Sequence, residues 1–364
     1  MLKIQNLSKE NRKKVVLNKI NVNIGEGEFA CFLGQTGSGK TALLRIIAGL
    51  ETQDTGQILL KGEDISKVPP YNRRINTVFN SFSLFPNLDV YKNIEFGLNF
   101  KNISNEEKEQ IVLNAINMFE LMPYLHKNVN DLNNLIKYKI ALSRALVNNP
   151  LVLLLDDSLK LLDNKDTLRM RYELKRLQKE LKKTFVYITD DLHNAFALAD
   201  KIGILQHGAL HQFDTPENIY EIPETYFVAS YVGNMNFFYA KIIDYTDEYY
   251  IVELDNTIKI NVPKIRKFDM AYDIFYGVRP ERIRISYDMP NSSDYQNVFK
   301  GKIIQKDYLA EYTQYYVQLE YGKVIVVAEL NYGHLKEDGK INFYEIGENV
   351  FVKWSMLSGE LVYA

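Results

Sequence analysis

The clearest chemical signal in the chain is an eight-residue stretch that fits G-x-x-x-x-G-K-[ST] at every fixed position. It consists of Gly34, Gln35, Thr36, Gly37, Ser38, Gly39, Lys40 and Thr41. Glycines lack the β-carbon that would keep a polyphosphate away, so consecutive backbone N–H groups can face the anion. Lys40 would reach the β and γ phosphates, and Thr41 would offer its hydroxyl to Mg²⁺. The pattern predicts a phosphate-binding loop.

The segments on both sides of this stretch match what such a loop needs. Residues 28–33 are mostly apolar and predict a buried strand, and residues 42–48 have helical apolar spacing that stops at Gly49. The positive end of that helix would then face the phosphates. A glycine-rich turn that spells the motif by coincidence is the alternative, and the two flanks argue against it.

An acidic pair marks a second part of the same site. Residues 151–155 form a continuous apolar run that ends in Asp156 and Asp157, which is typical of a central strand in a parallel sheet. Ligands of such sheets bind at the carboxyl ends of the strands. A predicted helix over 168–183 and a predicted strand over 185–189 continue the alternation, which indicates an α/β domain.

The length of 364 residues allows two domains. We assign residues 1–235 to the first, with a largely helical part at about 88–150 that includes a capping box at Ser104 and a helix over 136–146. Beyond residue 235 the chain has tyrosine-rich alternating segments at 249–254, 283–287, 315–319 and 324–330. They predict an all-β, barrel-type domain over 236–364.

Composition narrows the possible partners. A net charge of −2 gives no broad basic surface for nucleic acid, and the short run Arg12-Lys13-Lys14 is best interpreted as a solvated turn. Cys31 is the single cysteine, so an internal disulfide is excluded. No apolar run approaches the ~20 residues that a membrane helix needs. We expect a soluble chain that reaches a membrane through a partner.

Further segments carry a resemblance to a known family. They are 68–79 and 84–86 around a Q-loop-like position, 141–147 after a signature-like segment, 153–156 as a Walker B strand, Asp163 in a D-loop, and 277–281 with 347–354 near the C-terminus. Together they resemble the ATP-binding subunit of ABC importers, most closely the spermidine/putrescine type. The resemblance implies a P-loop nucleotide-binding domain with a helical subdomain, followed by an OB-like β domain called TOBE.

The same resemblance implies cofactors and partners. ATP would bind with Mg²⁺, and Thr41, Asp156 and Asn80 would be the metal ligands. The partners would be transmembrane permease subunits, a second ATP-binding subunit in a homo- or heterodimer and, indirectly, an extracellular substrate-binding protein. The chain would lie at the cytoplasmic face of the cell membrane.

The departures from the family pattern fall on residues that perform chemistry. Asp157 stands in place of the catalytic Glu, Asp190 in place of the switch His, and Asn80 in place of the Q-loop Gln. A misplaced general base can cost about 10²- to 10⁴-fold in rate. These three are the candidate catalytic positions, and we predict weak or absent hydrolysis.

Two further departures affect binding surfaces. The signature Leu-Ser-Gly-Gly-Gln is replaced by residues 132–136, Leu-Asn-Asn-Leu-Ile, and we expect Leu135 to obstruct the partner's phosphate. Asn11 occupies the position of the ring that stacks on adenine, a contact that contributes about 1 kcal/mol. His193 could replace the switch His, but an ordinary exposed helix histidine is the simpler interpretation.

Three functions remain open at this point. The first is an ATP-binding subunit that powers polyamine import, and the second is a non-hydrolysing subunit with a structural or regulatory role in a transporter. The third, a soluble ABC protein of repair or ribosomes, is disfavoured because the chain has one phosphate loop and an importer-like β domain.

Overall fold

The computed structural model describes residues 1–268, 272–289, 297–331 and 343–364. These residues form two compact units, Met1–Pro216 and Glu217–Ala364. The division falls before the boundary expected at residues 235 and 236. The intervening residues bond to the second unit: Arg279 donates to the backbone oxygen of Tyr220 at 2.8 Å, and Thr225 bridges to Tyr363.

The first unit alternates strands and helices. Its strands are β1 (Leu2–Asn11), β2 (Lys14–Ile24), β3 (Phe29–Leu33), β4 (Thr55–Leu60), β5 (Glu63–Asp64), β6 (Ile75–Val78), β7 (Val152–Asp156), β8 (Thr184–Thr189), β9 (Lys201–Gln206) and β10 (Ala209–Asp214). Its α-helices are α1 (Lys40–Ala48), α2 (Val90–Glu95), α3 (Asn105–Met118), α4 (Asn134–Leu146), α5 (Asn164–Leu181) and α6 (Leu192–Leu198). Short 3-10 helices cover Pro70–Asn72, Phe96–Phe100, Met122–Tyr124 and Val129–Asp131.

A six-stranded sheet with the order β10-β9-β3-β8-β7-β6 forms the centre of this unit. The pairs β3–β8, β3–β9, β7–β8 and β6–β7 are parallel. The register places Leu33 beside Thr189 and Asp156 beside Ile188, so the carboxyl ends of β3, β7 and β8 meet at one edge. The α/β prediction is therefore confirmed, and the sheet brings the glycine loop and the acidic pair together.

A second, antiparallel sheet has the order β2-β1-β4-β5. The turn between β1 and β2 consists of Arg12 and Lys13, whose φ values are 48° and 67°. Both residues are exposed, as expected for a solvated hairpin turn. Leu17 on β2 is buried in the core of the unit, which seats this sheet close to the phosphate loop.

The residues between β6 and β7 form helices and turns. The hydroxyl of Ser104 accepts a hydrogen bond from the N–H of Glu107 at 3.1 Å, which fixes the start of α3 as the capping signal predicts. The predicted helix over 136–146 is part of α4, which begins two residues earlier at Asn134. Among the described residues, no helix is long and apolar enough to cross a membrane.

The second unit begins with short helices and continues as sheets. Its elements are α7 (Pro216–Glu221), α8 (Tyr226–Val232), β11 (Asn236–Tyr245), β12 (Tyr249–Leu254), β13 (Ile258–Pro263), β14 (Ile274–Val278), β15 (Arg284–Ser286), β16 (Asn297–Tyr308), β17 (Tyr312–Leu319), β18 (Val324–Leu330), β19 (Asn349–Trp354) and β20 (Gly359–Tyr363), with 3-10 helices at Pro280–Arg282 and Met356–Ser358. Two five-stranded sheets result, β13-β12-β11-β14-β20 and β15-β19-β16-β17-β18. They share one core, in which the Trp354 indole donates to the Tyr276 hydroxyl at 2.9 Å.

Candidate nucleotide-binding site

The glycine-rich stretch lies between β3 and α1, as the sequence predicts. β3 is fully buried, so the loop that follows it emerges at the carboxyl edge of the sheet. The first-turn N–H groups of α1 have no partner within the helix. They are available to an anion, and the helix dipole favours a negative charge at this end.

Two glycines of the loop adopt backbone conformations that side chains avoid. Gly37 has φ of 85° and Gly39 has φ of 105°. A β-carbon on Gly39 would also lie 2.7 Å from the backbone oxygen of Val16, on β2. A β-carbon on Gly34 would overlap the backbone oxygen of Leu205. The glycine pattern is therefore required by backbone shape and close packing.

The ammonium group of Lys40 folds back over the loop. It donates to the backbone oxygen of Gly34, to that of Gln35 at 3.0 Å, and to the Ser38 hydroxyl at 3.5 Å. Burial lowers the pKa of Lys40, while the negative charges of Asp190 and Asp157 act in the opposite direction. The Lys40 ammonium group therefore lies over the glycine loop, bonded to the backbone oxygens of Gly34 and Gln35.

A cavity of about 400 Å³ adjoins this loop. It is lined by Val16, Thr36, Gly37, Ser38, Gly39, Lys40, Thr41, Ala42, Asn80, Asp156, Asp157, Lys160, Ile188, Thr189 and Asp190. The candidate metal ligands and the candidate catalytic positions thus line one cavity with the phosphate loop. Gly34 and Gln35 are outside the lining and contribute their carbonyl groups to Lys40.

Thr41, Asp156 and Asn80 fit a magnesium ion that arrives with a nucleotide. They offer a hydroxyl, a carboxylate and an amide oxygen, all ligands that Mg²⁺ accepts. Mg²⁺ keeps several waters and is usually held by one or two carboxylates plus substrate phosphates, so this small ligand set suits it. Burial raises the pKa of Asp156, the nearby Asp157 raises it further, and Arg45 and Lys40 oppose the change.

Asp157 is held firmly at the start of the loop after β7. Its N–H donates to the Ile188 oxygen at 2.9 Å, and its carboxylate accepts from the Thr189 hydroxyl at 2.9 Å. Its φ of 42° lies in the left-handed region, where Asp is tolerated better than most residues. This backbone shape gives a physical reason for a short carboxylate at the position of the family's Glu.

Lys160 pairs with both carboxylates that replace family residues. Its Nζ lies 3.3 Å from Asp157 Oδ2 and 3.4 Å from Asp190 Oδ2. The hydrogen bond and negative charge of Asp157, together with Asp190, raise the pKa of Lys160. The sequence argument missed this residue, although a lysine four positions after Asp156 was a visible signal.

The signature-like segment, residues 132–136, does not place a bulky side chain where it would obstruct a partner's phosphate. Asn133 caps α4, because its side chain accepts from the N–H of Ile136 at 2.9 Å. Leu135 and Ile136 are buried, whereas Asn133 and Asn134 are exposed. The expectation for Leu135 was wrong, because α4 turns that side chain into the protein.

Asn11 and His193 both lie outside the lining of the cavity. Asn11 is exposed beside the hairpin turn and is not among the residues that line the cavity, while Val16 on β2 is. Sequence reasoning missed Val16 because nothing in β2 marks which of its residues faces the loop. His193 is exposed on α6 and outside the lining, in agreement with the simpler interpretation.

The fold and this cavity define a nucleotide-binding cassette of the P-loop class. Residues 17–160 match the family model described as ABC transporter, and residues 276–358 match the TOBE domain. The chain belongs to the ABC transporter family.

Curated relatives match nearly end to end. The spermidine/putrescine import ATP-binding protein PotA of Hahella chejuensis is 35% identical over 357 residues, covering 97% of this chain and 95% of the relative. The protein of that name from Thermotoga maritima is 33% identical over 352 residues, with coverage of 97% and 95%. The similarity therefore spans both compact units.

Solved structures match about three fifths of the chain. A dimeric ATP-binding cassette in a post-hydrolysis state, bound to ADP and Pi, is 29% identical with a TM-score of 0.54, covering 59% of this chain and 99% of that one. The cbiO1 protein of Clostridium perfringens, part of an ABC transporter complex, is 26% identical with a TM-score of 0.57 and coverage of 64% and 92%.

Proposed function

We propose that this chain is the ATP-binding subunit of an ABC importer for polyamines such as spermidine and putrescine. The observation that carries the proposal is the 35% identity that extends over 97% of the chain to a spermidine/putrescine import ATP-binding protein. The cavity supports it, because a lysine, a hydroxyl and a carboxylate converge beside a loop in which a side chain at any of the three glycines would cause overlap or backbone strain.

The site residues have the following proposed roles. The loop from Gly34 to Thr41 binds the phosphates of ATP, and Thr41, Asp156 and Asn80 hold Mg²⁺. Asp157, Asp190 and Asn80 occupy the catalytic positions. Phosphoryl transfer in P-loop enzymes depends on positioning and on charge stabilisation, so the placement of these three groups sets the hydrolysis rate.

The proposed assembly follows from the family. Two ATP-binding subunits, either two copies of this chain or this chain with a homologue, would join two transmembrane permease subunits at the cytoplasmic face of the membrane. An extracellular substrate-binding protein would deliver the cargo. The dimeric state of a similar cassette supports the pairing. We propose that the nucleotide-binding domain corresponds to the unit Met1–Pro216 and that the TOBE-type domain lies within the unit Glu217–Ala364.

A non-hydrolysing subunit is the alternative. The relatives are described as import ATP-binding proteins, which favours a subunit that takes part in import. The substitutions at Asp157 and Asp190 bear on the rate of hydrolysis and leave the phosphate loop intact.

The test is uptake of labelled spermidine into proteoliposomes that contain the cognate permease subunits. We expect uptake to require the chain, internal Mg-ATP and the cognate substrate-binding protein. Lys40→Ala is the matched inactive variant, and Lys179→Ala, an exposed lysine on α5, is the matched neutral control.

The outcomes separate the candidates. Uptake with the wild type and Lys179→Ala but not with Lys40→Ala supports the proposal. Assembly with the permease and Mg-ATP binding without uptake would favour the non-hydrolysing subunit. Absence of any affinity for Mg-ATP would refute both.

A further inference from the structure

Lys160 is a cation in the cavity lining, and the family motifs described above give it no role. It follows β7 in the loop that contains Asp157, and its N–H donates to the Asp157 backbone oxygen at 3.1 Å. Leu159, just before it, is 1% exposed. The backbone under Lys160 is therefore anchored, and its flexible side chain is free to reach into the cavity.

A buried contact below the loop reinforces this anchoring. Ser158 is fully buried, and its hydroxyl lies 3.1 Å from the Tyr138 hydroxyl on α4. The loop is thus bonded to the helix behind it. The aliphatic stem of Lys160 starts from a fixed point beside the phosphate loop.

The lining of the cavity carries more acidic than basic side chains. Among the described residues that line it, Asp156, Asp157 and Asp190 are acidic, and Lys40 and Lys160 are basic. A bound nucleotide adds phosphate charge close to these carboxylates. Without Lys160, Asp190 would present an uncompensated anion where the family's histidine would donate a hydrogen bond. Asp190 and the phosphates are like charges, and they repel each other unless a cation lies near them.

The ion pairs of Lys160 are suited to exchange. The Lys160 side chain is 59% exposed, and exposed ion pairs contribute little to stability. A phosphate group is a strong acceptor for an ammonium ion. The neighbouring Asp157 and Asp190 also raise the pKa of Lys160, so the side chain stays charged throughout the neutral range.

We propose that Lys160 binds the γ phosphate of ATP in this site and thereby makes the site prefer ATP to ADP. The proposal rests on nucleotide binding in the proposed function. In the nucleotide-free chain, Asp157 and Asp190 hold the ammonium group beside the phosphate loop. The ammonium group then supplies the donor that a histidine at position 190 would otherwise supply.

The competing explanation is a purely electrostatic one, in which Lys160 only neutralises two carboxylates. The two explanations differ in what they predict for ADP, which has no γ phosphate. A γ-phosphate ligand should affect ATP binding much more than ADP binding even after both carboxylates are neutralised, whereas a counter-ion should have no effect once they are neutral.

The experiment measures Kd for Mg-ATP and Mg-ADP by calorimetry with the full chain. In Lys160→Gln we expect the Kd for ATP to rise about 10-fold or more and that for ADP to change less than about 2-fold. Lys160→Arg keeps the charge and should retain most of the ATP preference. Lys165→Ala, an exposed lysine outside the cavity lining, should match the wild type.

The same substitution is also made in a second variant, in which loss of Lys160 would not destabilise the fold by leaving anions unpaired. In Asp157→Asn with Asp190→Asn, both carboxylates are neutral, so loss of Lys160 leaves no unpaired anion. We expect Lys160→Gln in this background to lower the ATP preference as before, with thermal unfolding confirming a folded chain. Equal shifts for ATP and ADP, or no shift in this background, would overturn the proposal.

Failure of this inference is distinguishable from failure of the proposed function. A wild-type chain that binds neither nucleotide contradicts the importer subunit itself. A wild-type chain that binds both, with an ATP preference that Lys160→Gln leaves unchanged, contradicts only the role of Lys160.

Discussion

The two walls of the nucleotide cavity differ in how closely they follow the family. The phosphate-loop wall keeps every fixed residue from Gly34 to Thr41, and backbone atoms pack closely against Gly34 and Gly39. The opposite wall carries substitutions at Asp157 and Asp190, joined by Lys160. In the proposed function, the first wall would bind phosphate and the second would act on it.

From this difference we infer that separate parts of the fold would support nucleotide binding and hydrolysis. The phosphate loop depends on main-chain N–H groups and on contacts with β2 and β9, so few substitutions are tolerated. The opposite wall presents side chains from loops after β7 and β8, which can exchange one charged group for another. The following predictions test that separation.

The largest effect is expected from restoring the family's groups on the opposite wall. Asp157→Glu with Asp190→His should raise steady-state phosphate release by about 10²-fold or more, because a correctly placed base contributes about 10²- to 10⁴-fold. The measurement is phosphate release by the chain assembled with its permease. Asp157→Asn with Asp190→His carries the same histidine without the carboxylate and should show no such gain. A wild-type rate already as fast as the double variant would remove the proposed difference between the walls.

A smaller effect is expected on the phosphate-loop wall. Lys40→Ala should weaken Mg-ATP binding by about 10- to 100-fold, since charge-assisted hydrogen bonds contribute about 1.5–3 kcal/mol. Equilibrium titration of Mg-ATP measures it, and Lys179→Ala should leave the Kd unchanged. If Lys40→Ala bound Mg-ATP as tightly as the wild type, the phosphate loop would not be the nucleotide-binding element that its geometry indicates.

The third prediction concerns stability. Gly39→Ala should lower the free energy of unfolding by about 1–3 kcal/mol, because φ is 105° and the new β-carbon would meet the Val16 oxygen at 2.7 Å. Chemical denaturation measures the loss. Gly62→Ala, at φ of 87° with nothing within 4 Å, keeps the backbone strain without the collision and should cost less. Equal losses would mean that packing against β2 contributes nothing.

The smallest expected effect is a change in thermal stability when the carboxylate of Asp156 is replaced. Its pKa is raised in the folded chain by burial and by Asp157, so the folded state holds this proton more tightly than the unfolded state. The contribution of Asp156 to stability therefore falls as pH rises above 3.8 through the folded pKa, and it stays low at neutral pH. Asp156→Asn should raise the Tm of the nucleotide-free chain at pH 7 by roughly 1–3 °C while weakening the Mg²⁺ dependence of ATP binding. A lower Tm would show that the carboxylate stabilises the fold.

Much of the fold could be read from local patterns. The loop between β3 and α1, the run that became β7 and the cap at Ser104 are signals contained within a few residues, and each was found within a residue or two of its predicted place. The predicted strands at 249–254 and 324–330 coincide with β12 and β18.

What the sequence could not provide were contacts between distant segments. The ion pairs of Lys160 depend on bringing the end of β8 beside the loop after β7, and Val16 approaches Gly39 because of how β2 lies against the loop. The burial of Leu135 follows from the rotation of α4, which a substituted motif does not reveal. Side-chain direction on a helix is set by packing across the whole unit.

The close packing of Val16 on β2 against Gly39 and Gly208 has a consequence for how the chain responds to proteolysis. Gly208 donates its N–H to the Ser38 oxygen at 3.0 Å and accepts from the N–H of Asn18 at 2.8 Å, so the early hairpin is bonded through Gly208 to the loop that binds phosphate. Proteolytic nicking at Arg12 or Lys13 would leave all eight motif residues intact. The cut would nevertheless loosen the hairpin of β1 and β2, and Ser38 would then be held less firmly. Nucleotide affinity would therefore fall in response to a cleavage more than twenty residues away in the chain.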